Sequence, residues 1–235
     1  MKIHHVTQGS PEWTALRIGI PTASAFDKII TPAKGQLSKS SRPYAFLLVA
    51  EQLLGRTLDS LEGLEWIERG KELEPQAVRM YEFAEDCETA PVGFITSDDG
   101  RMGASPDRLI VGARAGLEIK CPAPQTHLGY MIDGFGDAYK TQVQGQMLIG
   151  DFDYVDRFSF HPELPPYRER THRDEPFIAL MRSALNEFCD MKDAMLDRVR
   201  ASGFFEERER VKTAVDAAID EWRRTGAFDG DDANV

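Results

Sequence analysis

Three side chains in this chain could do chemistry together. They are Asp107 in Ser105-Pro106-Asp107, and Glu118 and Lys120 in Gly116-Leu117-Glu118-Ile119-Lys120. The second run reads as a strand. Side chains alternate faces along a strand, so Leu117 and Ile119 point into a core while Glu118 and Lys120 share the opposite face, their Cα atoms about 6.5–7 Å apart. If Asp107 ends the neighbouring strand of a hairpin, a second carboxylate joins them. Two facing carboxylates repel unless a proton or a cation sits between them. Hard oxygen ligands choose Mg²⁺ or Mn²⁺ over zinc. A nearby ammonium can orient a water or lower its pKa. The set suits hydrolysis of a phosphodiester, with a metal as Lewis acid, water as nucleophile and lysine as positioner.

Taken alone, a Glu and a Lys two apart on a strand describe a solvated face more often than a site, and the pattern is weak. Its company raises it. Glu74, in Arg69-Gly70-Lys71-Glu72-Leu73-Glu74-Pro75, is either a favourable charge near a helix start or a further acid near the metals. Tyr139 and Gln142 lie in Ala138-Tyr139-Lys140-Thr141-Gln142-Val143-Gln144, and glutamines at 142, 144 and 146 crowd one helix.

The elements that must position these residues can be read from periodicity. Ser10 as N-cap and Pro11 at the first helical position start a helix that Gly19 ends. Thr22-Ala23-Ser24 starts a second, running into Ala25–Ile30. Residues 31–42 are a polar loop with Lys34, Lys39 and Arg42, and 43–54 return to helical spacing. Residues 64–85 carry an apolar stripe of Leu73, Ala77, Met80, Tyr81 and Ala84, with Pro75 either starting or kinking the helix. Short strands fall at 91–97, 101–105, 107–111 and 116–120. A helix is expected over 135–149 and a strand over 152–160, where Phe152, Tyr154, Phe158 and Phe160 share one parity. HPELPPY then reads as a break. A long amphipathic helix over 176–200 and a last one over 205–224 precede a polar, frayed end. This order suggests an α/β protein, a mixed sheet with helices against it.

Composition bounds the alternatives. The chain has 235 residues, 42% hydrophobic and 29% charged, which excludes a wholly disordered polymer and suits a single domain over 1–235. The core would span about 7–162, with a helical extension over about 174–224. The longest apolar runs, such as Phe46–Ala50, are far short of the roughly 20 residues a membrane span needs. No signal peptide is read at Met1–Val6. Cys87, Cys121 and Cys189 are scattered and odd in number, which argues against a disulfide scaffold and for a reducing cytoplasm. Net charge is −11, at first sight unfavourable for a nucleic-acid partner. Its distribution is uneven: residues 1–60 carry +3, residues 61–162 carry −9 and residues 163–235 carry −5. Screening over about 8–10 Å lets a basic N-terminal segment meet phosphate while the acidic middle holds cations.

The residues resemble the lambda exonuclease and YqaJ-like viral recombination nucleases, within the PD-(D/E)xK superfamily named for the pattern Pro106-Asp107…Glu118-Ile119-Lys120. The resemblance covers most of 7–162. It takes in Gln8-Gly9, Trp13, Leu16-Arg17, Gly19 and Thr22-Ala23-Ser24. It continues through Gly70-Lys71…Glu74, Ser105-Pro106-Asp107, Leu117-Glu118-Ile119-Lys120-Cys121-Pro122 and Tyr139…Gln142-Val143-Gln144. Five blocks in the right order are far more specific than any one.

The resemblance implies a restriction-endonuclease-like core, a central mixed sheet flanked by helices. It implies a nuclease that digests one strand of duplex DNA from a 5′-phosphorylated end and leaves 3′ overhangs for phage recombination. Similar enzymes use two Mg²⁺ ions, for which Mn²⁺ can substitute. Asp107 and Glu118 would be the metal ligands, with the Ile119 carbonyl completing the first site and Glu74 near it. Lys120 would position the attacking water, with Tyr139 in support. Arg17, Ser24, Ser105 and Gln142 would bind the terminal phosphate, a guanidinium giving the charge-assisted contact and a helix start near Ser24 favouring the anion. Read without the resemblance, Ser24 caps a helix and Arg17 makes a surface ion pair. Family members are often trimeric rings around DNA and work beside a single-strand annealing protein, in the cytoplasm of a bacterial host and without a membrane partner.

The competing reading is a non-catalytic DNA-end-binding scaffold that retains the fold, against which the intact Asp107, Glu118 and Lys120 argue. An iron–sulfur nuclease needs four cysteine ligands, and there are three. His4-His5, His127, His161 and His172 lack metal-ligand spacing. Cys121 reads as a small buried residue, and the Phe152–Phe160 run as core or subunit interface.

Overall fold

The computed structural model describes residues 1–31, 35–58 and 65–225, apart from the side chains of 65–67 and 225. Lys34 in the polar loop and the polar end beyond 225 lie outside the described residues. The chain divides into two compact units, Met1–Lys192 and Asp193–Val235.

The first unit opens with β1 (Lys2–His4) and α1 (Pro11–Arg17). Ser10 caps α1 as expected, its hydroxyl accepting the Trp13 N–H at 3.2 Å. Gly19 follows with φ of 68°, a left-handed turn that a Cβ would jam against Gln52 and the Leu48 carbonyl. The second expected helix is shorter and tighter: a 3₁₀ turn over Ala23–Ala25, capped at Thr22, then α2 (Phe26–Ile29). Ser24 therefore lies inside the turn and is not its cap. α3 (Ser41–Leu54) and α4 (Glu65–Glu85) follow. Pro75 lies within α4, so one helical segment spans the position where a start or kink was expected.

Two sheets come next. β1, β3 (Phe94–Thr96) and β4 (Gly103–Ala104) form a small antiparallel one in the order β1-β3-β4. The larger sheet contains β2 (Thr89–Pro91), β5 (Arg108–Ile110), β6 (Ala115–Lys120), β7 (Tyr154–His161) and β8 (Leu164–His172), in the order β2-β5-β6-β7-β8. β5 and β6 pair antiparallel, whereas β6 and β7 pair parallel, with Glu118 opposite Arg157. A parallel pair needs a crossover. It is supplied by α5 (Pro124–Asp133) and α6 (Lys140–Gly150).

This is the expected mixed sheet flanked by helices, and β6 is its middle strand. The alternation read from the sequence holds, but both faces are covered. On one face Leu117 and Ile119 join Phe158, Phe160 and Ile110 against Ala77 and Tyr81 of α4. Of the predicted α4 stripe, Met80 and Ala84 are exposed instead. The other face of β6 carries Glu118, 3% exposed, beneath α6.

HPELPPY is not a break. The chain turns at 162–163 and returns as β8 through Pro165 and Pro166. Proline cannot donate to a ladder and is tolerated on an edge strand. β8 is such an edge, and a register shift marks the pairing near Ser159 and His161. Phe152, Phe158 and Phe160 are core. α7 (Glu175–Arg200) buries Phe177, Met181, Ala184, Leu185 and Phe188 but exposes Leu180. The second unit holds the end of α7 and all of α8 (Phe204–Thr225). Among the described residues no helix is long and apolar enough to cross a membrane.

Candidate active site

The site is built at the carboxyl end of β6. Asp107 lies one residue before β5, and its backbone N–H donates to the Leu117 carbonyl at 3.1 Å, which extends the β5–β6 pairing. Its side chain then accepts the Ile119 N–H at 2.6 Å. The loop that delivers Asp107 is held by Gln8, whose Nε2 donates to the carbonyls of Val92 and Pro106 at 2.8 and 2.9 Å. Gln8 therefore acts as a brace for the Pro106-Asp107 step.

Among the described residues, three side chains donate to Glu118. Lys120 Nζ and Gln142 Nε2 donate to its Oε1, and Gln146 Nε2 to its Oε2, each at 2.6 Å. Lys120 also sits 4.4 Å from the centre of the Tyr139 ring, a cation–π contact. Tyr139 precedes α6 in a left-handed conformation, φ 63°, uncommon for a bulky residue. Its hydroxyl is 3.3 Å from that of Tyr130.

The electrostatics tie the acids together. Loss of solvent, and next the charge of Glu118, push the Asp107 carboxyl well above the ordinary carboxylate range, with Glu74 adding to the effect and Lys120 opposing it. Glu74 on α4 is also raised, first by burial and then by Glu118, with Arg108 acting the other way. Burial disfavours the Lys120 ammonium, but Glu118 and Asp107 outweigh it, and its pKa lies above the ordinary lysine value.

Most of these groups border a cleft of about 750 Å³, with Glu118 outside its lining. Glu74, Asp107, Ile119, Lys120, Tyr139 and Gln142 line it, as does Ser24. Arg17 and Ser105 form a neighbouring pair outside that lining. The Arg17 guanidinium stacks 4.0 Å from the Trp13 ring and donates to Ser105 Oγ at 3.4 Å, while Trp13 Nε1 donates to the same hydroxyl at 3.1 Å. Of the four residues expected to bind phosphate, Ser24 and Gln142 thus share the cleft, and Arg17 and Ser105 share a hydrogen bond.

Arg69 and Lys71, which have no role read from the sequence, also line the cleft, as does Cys121, where a small buried residue is expected. Cys121 is half-buried, its thiol pushed up to about 11 by burial, then by Glu74 and Asp107. In the sequence Gln146 stands only as the last of three alternate glutamines. Its i, i+4 spacing from Gln142 was the available signal that both amides share a helix face. His127 is buried and bonded to Ser159 Oγ at 2.6 Å and to the Pro165 carbonyl at 2.9 Å, as suits a structural residue.

Among the described residues, no three His, Cys, Asp or Glu side chains converge closely enough to hold a metal by themselves. The donor chemistry nonetheless suits a hard divalent cation. Asp107 and Glu118 offer carboxylate oxygens, and the charge of Glu118, which adds to burial in raising Asp107 and Glu74, is what a cation relieves.

Comparison with known proteins agrees with this architecture. No curated protein matches the chain significantly. The alkaline exonuclease LHK-Exo from Laribacter hongkongensis, one of whose structures is a complex with dAMP, superposes with a TM-score of 0.74 at 28% identity over 83% of this chain and 98% of its own. A phage-related exonuclease from Haemophilus somnus shares the fold with a TM-score of 0.61 at 16% identity, over 77% of this chain and 96% of its own. The YqaJ-like viral recombinase domain matches residues 12–153, the stretch that carries Arg17, Glu74, Asp107, Glu118, Lys120 and Gln142, and the chain belongs to that family.

Proposed function

We propose that this chain is a nuclease of the lambda exonuclease type, a Mg²⁺-dependent exodeoxyribonuclease. It digests one strand of linear duplex DNA from a 5′-phosphorylated end and leaves a 3′ overhang for recombination. The observation that carries the reading is the linked set at the end of β6. Asp107 is pinned to the Ile119 N–H, and Glu118 is bonded to Lys120, at a cleft that Glu74 also borders. The likeness to LHK-Exo, whose crystals also hold dAMP, supports a nucleotide substrate.

Asp107, Glu118, the Ile119 carbonyl and Glu74 would hold the cations. When bound, Mg²⁺ supplies Lewis acidity at the phosphoryl oxygen and lowers the pKa of a coordinated water. Lys120 has donors only, so it orients the attacking water and offsets charge on the phosphate without taking a proton. Tyr139 confines the Lys120 ammonium through its ring. Arg17, Ser105, Ser24 and Gln142 would engage the terminal phosphate and set the register of the scissile bond. A closed ring of copies would retain DNA without tight contacts, which is compatible with a net charge of −11.

The test is a time course on linear duplex labelled at either end of one strand, in Mg²⁺ and in EDTA. Stepwise loss of the 5′ label first, in Mg²⁺ alone, is expected. Loss of the 3′ label first overturns the polarity. Full activity in EDTA overturns the metal, and no release in Mg²⁺ or Mn²⁺ overturns the enzyme in favour of a DNA-end-binding scaffold.

A further inference from the structure

α6 carries three glutamines in alternate positions, and they divide into two roles. Gln144 is satisfied at both ends: Nε2 donates to the His172 carbonyl at 2.8 Å and Oε1 accepts the Asp174 N–H at 3.0 Å. It fastens α6 to the end of β8 and the start of α7. Gln142 and Gln146, one helical turn apart, reach the other way and grip the two oxygens of Glu118.

Gln146 differs from Gln142 in two respects. It is 1% exposed and does not line the cleft, whereas Gln142 does. Its Oε1 is also buried with no hydrogen-bond partner among the described residues. Buried acceptors are normally paired. Rotating the amide would place Oε1 against the carboxylate and lose a charge-assisted bond. The orientation is thus set by Glu118 at the expense of an unsatisfied acceptor.

A carboxylate has about four lone-pair sites. Three are used here, two of them on Oε1 by cleft-lining Lys120 and Gln142. A cation or substrate arriving from the cleft competes with those two donors. Gln146 holds Oε2 from the interior and is left in place.

We infer that Gln146 is a positioning residue for Glu118: it fixes the carboxylate plane and so sets the affinity of the site for a divalent cation. This rests on the metal reading proposed above. Partners that orient a metal ligand from behind are worth about 10–100-fold in affinity.

The test is Mn²⁺ titration of the DNA-free full chain, followed by calorimetry or by the Mn²⁺ paramagnetic signal. Gln146→Met is near in size and lacks the donor. It is expected to weaken Mn²⁺ binding about 10–100-fold, with DNA binding in EDTA unchanged. The cleavage rate should recover largely at saturating Mn²⁺, a shift in metal dependence that general loosening of the fold would not give. Gln146→Asn, a shorter amide, serves if the Met variant does not fold and is expected to weaken binding in the same direction. Wild-type Mn²⁺ affinity in a folded Gln146 variant overturns the inference. If the wild type binds no Mn²⁺, or Glu118→Gln leaves binding unchanged, it is the metal reading that fails, and this inference with it.

Discussion

The Asp107 carboxylate accepts the backbone N–H of Ile119 at 2.6 Å, so the first acid of the site is fastened to the strand that carries the second. The distance between the acids is therefore set by backbone geometry, through the β5–β6 pairing, more than by side-chain rotamers.

Asp107→Asn should separate stability from function. The asparagine oxygen can still accept the Ile119 N–H. Because burial and Glu118 raise the Asp107 pKa, the ionised form costs folding energy above its ordinary pKa, and the neutral amide removes that cost. In EDTA near neutral pH the variant should melt at or above the wild-type temperature, while cleavage in Mg²⁺ falls by about 10²–10³-fold or more. A variant that melts lower and still cleaves would contradict this.

Lys120→Ala should remove hydrolysis by a similar factor of about 10²–10³ and leave DNA affinity, measured in Ca²⁺ or EDTA, nearly intact. Equal loss of binding and cleavage would make Lys120 an anchor for DNA.

Arg17→Ala should erase the preference for 5′-phosphorylated over 5′-hydroxyl ends. A hydrogen bond to a charged group contributes about 1.5–3 kcal/mol, equivalent to about 10–100-fold in rate. Competition between the two ends in one reaction reads the ratio. An unchanged ratio would remove Arg17 from the phosphate pocket.

Asp156 offers a prediction on stability alone. It is fully buried on β7, accepts Tyr81 Oη at 2.7 Å, and takes Arg170 Nε and Nη2 at 2.8 Å each. Burial alone would raise its pKa, but Arg170 and Tyr81 outweigh it and hold the carboxyl below the ordinary value. A depressed acid stabilises the fold above the unfolded pKa of about 4, and that stability is lost as pH falls through the folded value. Asp156→Asn should cost about 2–4 kcal/mol at pH 7, toward the low end for a broken buried pair because Arg170 is partly solvated. It should also flatten the acid limb of the stability profile. Denaturant unfolding between pH 3 and pH 7 measures both.

The elements legible in the sequence were those whose period shows locally. α1 announced itself through Ser10 and Pro11, and β6 through the alternation of Leu117 and Ile119 with Glu118 and Lys120. α5 did not, because His127 is its only buried residue and no apolar stripe marks it. β8 was hidden by Pro165 and Pro166, which only its edge position makes acceptable. Within the site, strand parity placed Glu118 and Lys120 together. The Asp107–Ile119 bond and the partner that Gln146 grips are tertiary, with no local signature, whereas the stacking of Arg17 on Trp13 is local, an i, i+4 pair on α1.

The central claim is that Asp107 and Glu118 hold a divalent cation for hydrolysis. Anomalous diffraction from a crystal of the full chain soaked in Mn²⁺ tests it most directly. The account predicts a peak bounded by Asp107, Glu118 and the Ile119 carbonyl, absent in Asp107→Asn. Mn²⁺-dependent cleavage with no peak there, or with the ion bound elsewhere, would contradict it.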